Sequence, residues 1–202
     1  MSNTSILLFF LFLVTVSANV CDDLREKEGE TNGCGKGWKR FQRPSGGWCI
    51  KVFFEELVTQ AEAEKRCQAE KATLTGFQNQ TEVFHVTTTA TTHLKPATGS
   101  LWVGLKRNQK CLKLKITKNC TTMNSFDWTD KLTTGTHGFI WNGGEPLNYG
   151  WNQDCVVLTV GNTGYVETLF QVGTFDDVGC EMTYKNSARA IKGFVCGKKS
   201  EK

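Results

Sequence analysis

Nine cysteines are the residues of this chain whose type and number point most directly to chemistry. They lie at positions Cys21, Cys34, Cys49, Cys67, Cys111, Cys120, Cys155, Cys180 and Cys196. No two of them form a Cys-x-x-Cys pair, and the closest two, Cys111 and Cys120, are too far apart for a zinc knuckle. In a chain of 202 residues this number predicts disulfide bonds and an oxidising compartment. Because nine is odd, one cysteine must be unpaired or bridged to another chain.

The other reactive residues do not indicate catalysis. The histidines His85, His93 and His137 are scattered, and the sequence has no Gly-x-Ser-x-Gly, His-Glu-x-x-His or phosphate-binding loop motif. The adjacent acids Asp176 and Asp177 could mimic a catalytic pair, but their position on a loop next to a cysteine favours metal ligation. A formal net charge of +4 is too small to indicate nucleic-acid binding. We therefore predict a binding protein and not an enzyme.

Residues 1–18 have the pattern of a signal peptide. The apolar run from Ile6 to Val16 is shorter than the roughly 20 residues of a membrane-spanning helix, and small residues offer a cleavage site after Ala18. The first five residues carry no Lys or Arg, so an uncleaved anchor stays an alternative. No later stretch could span a bilayer. The sequence thus predicts a secreted protein that begins with a flexible polar arm at residues 19–33.

Two sequons fit the same export route. They begin at Asn79 and Asn119, and each has a threonine two positions later. Both asparagines are therefore predicted sites of N-glycosylation in a secreted glycoprotein.

One domain of mixed composition is predicted for residues 34–197, followed by a polar tail at 198–202. Thr59 with Glu62 three positions later forms a capping box that predicts the start of a helix. Asn79 with Glu82 predicts a second helix, on which apolar residues repeat at helical spacing. After Leu101 the sequence reads as short strands separated by loops rich in Gly, Asn and Asp. This order of elements predicts an α+β fold.

Six motifs in order resemble the C-type lectin-like domain family. They are TQAEAEKRC at 59–67, LWVGL at 101–105, WNGGEP at 141–146, DCV at 154–156, FDDVGC at 175–180 and FVC at 194–196. Each motif is weak by itself, but their common register over nearly the whole domain is specific. The resemblance implies a double-loop domain of the long form, with two helices, small antiparallel sheets and stabilising disulfides. Trp102, Trp128 and Trp141, each in a strand-like motif, are expected in the core.

The resemblance also implies a disulfide pattern. One bond would close the whole domain, one would pin the long loop, and one would close an N-terminal hairpin: Cys67–Cys196, Cys155–Cys180 and Cys34–Cys49. Of the remaining three, Cys111 and Cys120 are expected to clamp a local hairpin. Cys21 is then the odd cysteine and a candidate for an interchain bridge in a dimer, whose two sites would raise avidity.

A calcium site in the long loop is the main functional feature of sugar-binding members of this family. Carried over residue by residue, the predicted metal ligands are Glu145, Asn148, Gln153, Asp176 and Asp177. The same set without Gln153 is the predicted ligand-binding set. The chain departs from the family pattern at Leu147, where an amide is usual, and at Gln153, where a carboxylate is usual. Calcium suits such a site because it accepts many oxygen ligands.

Two functions of different class follow from the resemblance. The leading hypothesis is a secreted lectin that binds glycans or glycoproteins through Ca²⁺, with a role in defence as one possibility. The alternative is a calcium-independent protein-binding or adhesion module with a degenerate sugar site. A basic segment could form a contact surface for anionic glycans, bacterial polymers or an acidic protein, although its alternating Leu and Lys favour a strand with one solvated face. It contains Lys106, Arg107, Lys110, Lys113, Lys115 and Lys118.

Overall fold

The computed structural model describes residues 33–161, 170–185 and 189–201. The predicted signal peptide, most of the polar arm and Cys21 lie outside these residues, so their roles stay predictions. Within the described ranges no helix is long and apolar enough to cross a membrane.

A single mixed sheet holds the described part of the chain together. Its central order is β1-β2-β8-β4-β6-β7, with β3 paired to β8 and β5 paired to β4. All pairings are antiparallel except β4 with β8, so the small sheets expected from the resemblance are joined into one. The strands are β1 (Lys39–Arg43), β2 (Gly46–Phe53), β3 (Thr73–Leu74), β4 (Thr98–Arg107), β5 (Phe126–Trp128), β6 (Cys155–Gly161), β7 (Phe175–Val178) and β8 (Ile191–Lys199). The predicted α+β class is confirmed.

The first helix, α1 (Gln60–Ala69), begins at the predicted capping box. The Thr59 backbone N–H donates to Glu62 Oε2 at 2.7 Å, and the Glu62 N–H donates to Thr59 Oγ1 at 3.3 Å. These two bonds satisfy N–H groups that have no partner inside the helix. Ala63 and Cys67 are fully buried, so the helix is anchored to the sheet through that face.

The second helix, α2 (Gln80–Leu94), begins after Asn79 as predicted. Asn79 Oδ1 accepts from the N–H groups of Thr81 at 3.0 Å and Glu82 at 3.3 Å. Glu82 does not complete a capping box, because its carboxylate turns into the core. There it binds Arg43 at 2.6 and 2.8 Å, and both side chains are almost completely buried.

Four disulfides cross-link the domain. They are Cys34–Cys49, Cys67–Cys196 and Cys155–Cys180, the three pairs that the family resemblance implies, and Cys111–Cys120, the expected local pair. The second of them closes a separation of 129 residues and ties α1 to β8. Cross-links of this kind restrict the unfolded chain, which compensates a loop-rich domain for its limited regular structure.

Aromatic side chains fill the core beneath the long loops. Trp102 is fully buried in one hydrophobic cluster, and Trp128 and Trp141 are half-buried against a second cluster that contains Phe77 and Phe175. The Phe175 ring lies 6.0 Å from both the Phe77 and the Trp141 rings. The expected core role of the three tryptophans agrees with this packing, which supports β7 from below.

One local expectation from the sequence is wrong. The basic segment forms no strand or hairpin between Cys111 and Cys120, because these residues are irregular and Leu114 is exposed together with Lys113, Lys115 and Lys118. Lys113 has a φ of 54°, which breaks an extended conformation. At the C-terminal end, β8 runs through Lys199 and pairs Lys198 with Cys49 of β2, so the residues assigned to the polar tail begin within this strand.

Candidate functional site

The long loop enters the site through a cis Glu145–Pro146 peptide bond. Asn148 follows in the left-handed conformation with a φ of 49°, and a short 3-10 turn covers Tyr149–Trp151. The Cys155–Cys180 disulfide then joins the start of β6 to the end of β7. Loop and strand are thereby held against each other.

Three of the predicted ligands form an acidic cluster. Carboxylate oxygens of Glu145, Asp176 and Asp177 lie within 4.8 Å of one another. The interpretation of Asp176 and Asp177 as loop residues is wrong, because both are fully buried on β7. Water has little access to carboxylates on a buried strand, so protein groups must balance their charge.

Arg107 balances Asp177. Its guanidinium makes a short ion pair with Asp177 Oδ2 and donates to the Gln153 carbonyl at 3.1 Å. The side chain is buried and lies 4.5 Å from the Phe126 ring centre, so its assignment to an exposed basic segment is wrong. The Asp177 carboxylate also accepts from the backbone N–H groups of Leu147 and Asn148, both at 2.9 Å.

Arg189 balances the other two acids. It comes directly before β8 and binds both carboxylate oxygens of Asp176, one at 3.0 Å and one in a shorter contact. The same guanidinium reaches Glu145 Oε1 at 3.5 Å. Its side chain is 26% exposed, so this pair lies nearer the surface than the Arg107 pair. Arg107 and Arg189 thus balance the negative charge of the acidic cluster.

The two predicted amide ligands are used for internal hydrogen bonds. Asn148 is fully buried; its Oδ1 accepts from the Gln153 N–H at 3.1 Å, and its Nδ2 donates to the Leu114 carbonyl at 2.9 Å. Gln153 Oε1 accepts a short hydrogen bond from the Tyr149 N–H, and Nε2 donates to the Asp177 carbonyl at 2.6 Å. Both amides therefore brace the loop.

This arrangement does not fit a calcium ion. Calcium takes six to eight oxygen ligands, typically carboxylates with no competing cation. Here Asp176 and Asp177 each pair with an arginine, and both amide oxygens accept backbone hydrogen bonds. Glu145 also accepts from the Leu147 N–H at 3.0 Å through its second oxygen. An ion would have to displace a guanidinium to reach the acids.

Three carboxylates against two guanidiniums leave an excess negative charge, which is relieved by protonation. Burial, with the nearby charges of Asp176 and Asp177, raises the pKa of Glu145 to about 7. Burial also raises the pKa of Asp176 to about 6, although Arg189 acts in the opposite direction. Between about pH 6 and about pH 7, protonated Glu145 leaves two ionised acids and two arginines, so the cluster is balanced there.

We expect the protein to be more stable near about pH 5 than near about pH 8. The pKa of Glu145 is raised in the folded state, from 4.5 to about 7, so in this window the folded protein holds a proton that the unfolded chain has released. Stability therefore falls as pH rises through the window, on the order of 2 kcal/mol for this group. Urea unfolding at both pH values measures it. Glu145→Gln should flatten the dependence, and stability that rises between the two pH values would contradict the prediction.

An open cleft of about 740 Å³ lies beside the acidic cluster. Glu145, Glu181 and Arg189 are its charged residues, and Leu147, Tyr149 and Tyr184 supply apolar and aromatic surface. Tyr149 is 80% exposed and Tyr184 is 54% exposed. A cleft of this volume is large enough to receive a small ligand.

Sequence reasoning missed the two arginines and the two cleft tyrosines. The position of Arg107 shortly after the LWVGL motif could have indicated its role, but Arg107 was assigned to the surface. Arg189, Tyr149 and Tyr184 lie in no motif that indicated a role. The sequon residues Asn79 and Asn119 are both exposed, and their glycosylation stays a prediction.

Comparisons with known proteins give the same fold and family. A family model described as C-type lectin domain-containing protein 141/158 matches residues 40–199. A protein named C-type lectin from Cerberus rynchops is 30% identical over 129 residues, which are 63% of this chain and 69% of that protein.

Two solved structures share this fold. The cow CD23 carbohydrate-recognition domain, solved in the presence of a GlcNAc2Man3 oligosaccharide, is similar with a TM-score of 0.55 and 20% identity, covering 85% of this chain and 99% of that chain. A calcium-independent type II antifreeze protein gives 0.50 and 18%, covering 83% and 95%. With the family model over most of the domain, the chain belongs to the C-type lectin domain family.

Proposed function

We propose that this protein is an extracellular lectin that binds a glycan without calcium, through the cleft beside the acidic cluster. The observation that carries the proposal is the pair of arginines. Arg107 and Arg189 already neutralise Asp177 and Asp176, so the charge that a calcium ion supplies in sugar-binding relatives comes from the chain itself.

The cleft offers the groups that a glycan needs. Sugars present C–H faces that pack on aromatic rings, and Tyr149 and Tyr184 expose such rings. The hydroxyl groups of a sugar require hydrogen-bond donors and acceptors, which Glu145, Arg189 and Asn152 provide along the same cleft. Four disulfides favour an oxidising compartment, which supports an extracellular location.

Calcium-dependent glycan binding is the second candidate. It is favoured by the cis Glu145–Pro146 bond and by the approach of the three acids within 4.8 Å. It requires Arg189 to leave the cluster when the ion binds. The two candidates therefore differ in one measurable property, the affinity of the folded protein for calcium.

We expect a calorimetric calcium titration of the full chain to show no saturable heat, and the melting temperature to stay unchanged up to millimolar calcium. A ligand of the native state raises stability, by about 2.7 kcal/mol at a hundred times its dissociation constant. A saturable heat with a rising melting temperature would contradict calcium independence and support the second candidate.

A glycan array probed with and without chelator tests the ligand class. The same glycans should be bound in both conditions, and Tyr184→Ala should weaken their binding about five- to tenfold, the effect of losing one aromatic contact. Phe84→Ala is the matched control, because Phe84 is 70% exposed on α2 and lies outside the cleft lining. Glycan binding that disappears with chelator would contradict the proposal.

A further inference from the structure

A surface next to the cleft, which shares Leu147 and Tyr149 with it, is both apolar and basic. Six of the ten large apolar side chains that are exposed in the described residues come from two segments, 112–123 and 147–151. We call these six the apolar patch: Leu114, Ile116, Met123, Leu147, Tyr149 and Trp151. Their exposed fractions run from 39% to 80%, so they project from the molecule and do not line its core.

Contacts within the structure bring the two segments together. Asn148 Nδ2 donates to the Leu114 carbonyl at 2.9 Å, which joins the long loop to the segment at 112–123. Lys115 Nζ lies 5.5 Å from the centre of the Trp151 ring. The Cys111–Cys120 disulfide closes the base of the first segment. Leu114 and Lys115 are therefore held beside the long loop that carries Leu147, Tyr149 and Trp151.

The first segment of this surface carries exposed positive charge. Lys113, Lys115 and Lys118 are exposed within the first segment. The sequence contains no Asp or Glu between residues 106 and 126. An occupant of this surface must therefore be anionic where it meets the lysines and hydrocarbon-like where it meets the apolar patch.

We propose that this surface binds the face of an anionic lipid bilayer. Lysines are attracted to anionic headgroups, leucine, isoleucine and methionine can enter the acyl boundary, and tryptophan and tyrosine prefer the interface between the two. A soluble acidic glycan satisfies the lysines and leaves the aliphatic side chains without a partner. A symmetric dimer through the patch would set these lysines against their own copies.

Vesicle sedimentation with the full chain, expressed through the secretory route with its disulfides intact, tests the proposal. The protein should bind vesicles of phosphatidylcholine mixed with phosphatidylglycerol and should not bind phosphatidylcholine alone. Tryptophan fluorescence should shift to shorter wavelength on binding, and Trp151→Ser should remove most of that shift. The protein is assayed with and without enzymatic removal of N-glycans, because Asn119 lies beside Lys118.

Matched variants separate the contribution of the lysines from that of the apolar side chains. The triple variant K113Q, K115Q, K118Q should weaken binding about a hundredfold, since each lysine near an anionic surface contributes roughly a factor of five. The variant K39Q, K65Q, K71Q removes the same charge from exposed positions outside the surface and should change binding much less. Leu114→Ser should weaken binding about tenfold, whereas Phe84→Ser on α2 should not.

Three results would overturn the proposal. The first is no binding to anionic vesicles by either glycoform, and the second is equal binding to neutral and anionic vesicles. The third is binding to a soluble acidic polysaccharide such as dextran sulfate, lost in the lysine variant and retained in Leu114→Ser, with no vesicle binding. That last outcome would assign the surface to an acidic glycan.

Discussion

Glu82→Gln should lower the free energy of unfolding by about 3–5 kcal/mol. The Glu82 carboxylate accepts two hydrogen bonds from Arg43, at 2.6 and 2.8 Å, and a third from the Gln78 N–H at 2.8 Å. Both charged side chains are at most 1% exposed. Removing the Glu82 charge leaves buried Arg43 with only its longer ion pair to Asp130, at 3.7 Å, and this weakened compensation is the source of the cost.

Among the described residues, Arg43 has a second and longer ion pair, with Asp130. Asp130 lies 3.7 Å from Arg43 Nη1, and its oxygens already accept from the Gly76 and Thr133 N–H groups. Arg43 also lies 4.7 Å from the Trp48 ring centre and donates to the Gly76 carbonyl. The network thus joins β1 to the start of α2 and to the loop at Asp130, and its loss should loosen all three.

Denaturant unfolding of the variant measures the effect. Glu55→Gln is the matched control, because Glu55 pairs with Arg66 at 2.9 Å on the surface, where the side chains are 39% and 60% exposed. Exposed pairs contribute less than about 1 kcal/mol, so the control should change stability little. Equal losses in the two variants would contradict a special cost for the buried pair.

Local signals were sufficient to predict both helices and several of the strands. The starts of both helices depend on side chains within three residues of Thr59 and Asn79, which can be seen in the sequence itself. The strand motifs after Leu101 were likewise found where they were predicted. These features depend on residues that are close in the sequence, so they can be predicted without knowledge of the fold.

The partners of buried charges could not be predicted in the same way. Arg107 precedes Asp177 by 70 residues and Arg189 follows Asp176 by 13, and nothing local joins either pair. The family pattern suggested oxygens open to calcium, and the structure shows those oxygens bound by guanidinium and backbone N–H groups. Glu82 shows the same limit. Its position predicts a helix cap, whereas its carboxylate binds Arg43 on strand β1.

The acidic cluster and the apolar patch share the long loop. Asn148 is the residue that joins them, since its backbone N–H binds Asp177 and its side chain binds the Leu114 carbonyl. The Arg107–Asp177 pair therefore does more than neutralise charge, because the carboxylate that it fixes also orients the loop. Any change at this pair should reach both the cleft and the patch.

Arg107→Gln should lower the free energy of unfolding by about 3–5 kcal/mol, because it leaves fully buried Asp177 without its guanidinium. Asp177→Asn should also destabilise the protein, because it leaves buried Arg107 with only its longer ion pair to Asp154 Oδ1, at 3.6 Å. The double variant should cost clearly less than the sum of the two, since a buried pair of neutral amides carries no uncompensated charge. Denaturant unfolding of all four proteins completes this cycle. Additive losses would mean that the pair is not coupled, and the claim that arginine takes over the charge-balancing role of a metal would then have no energetic support.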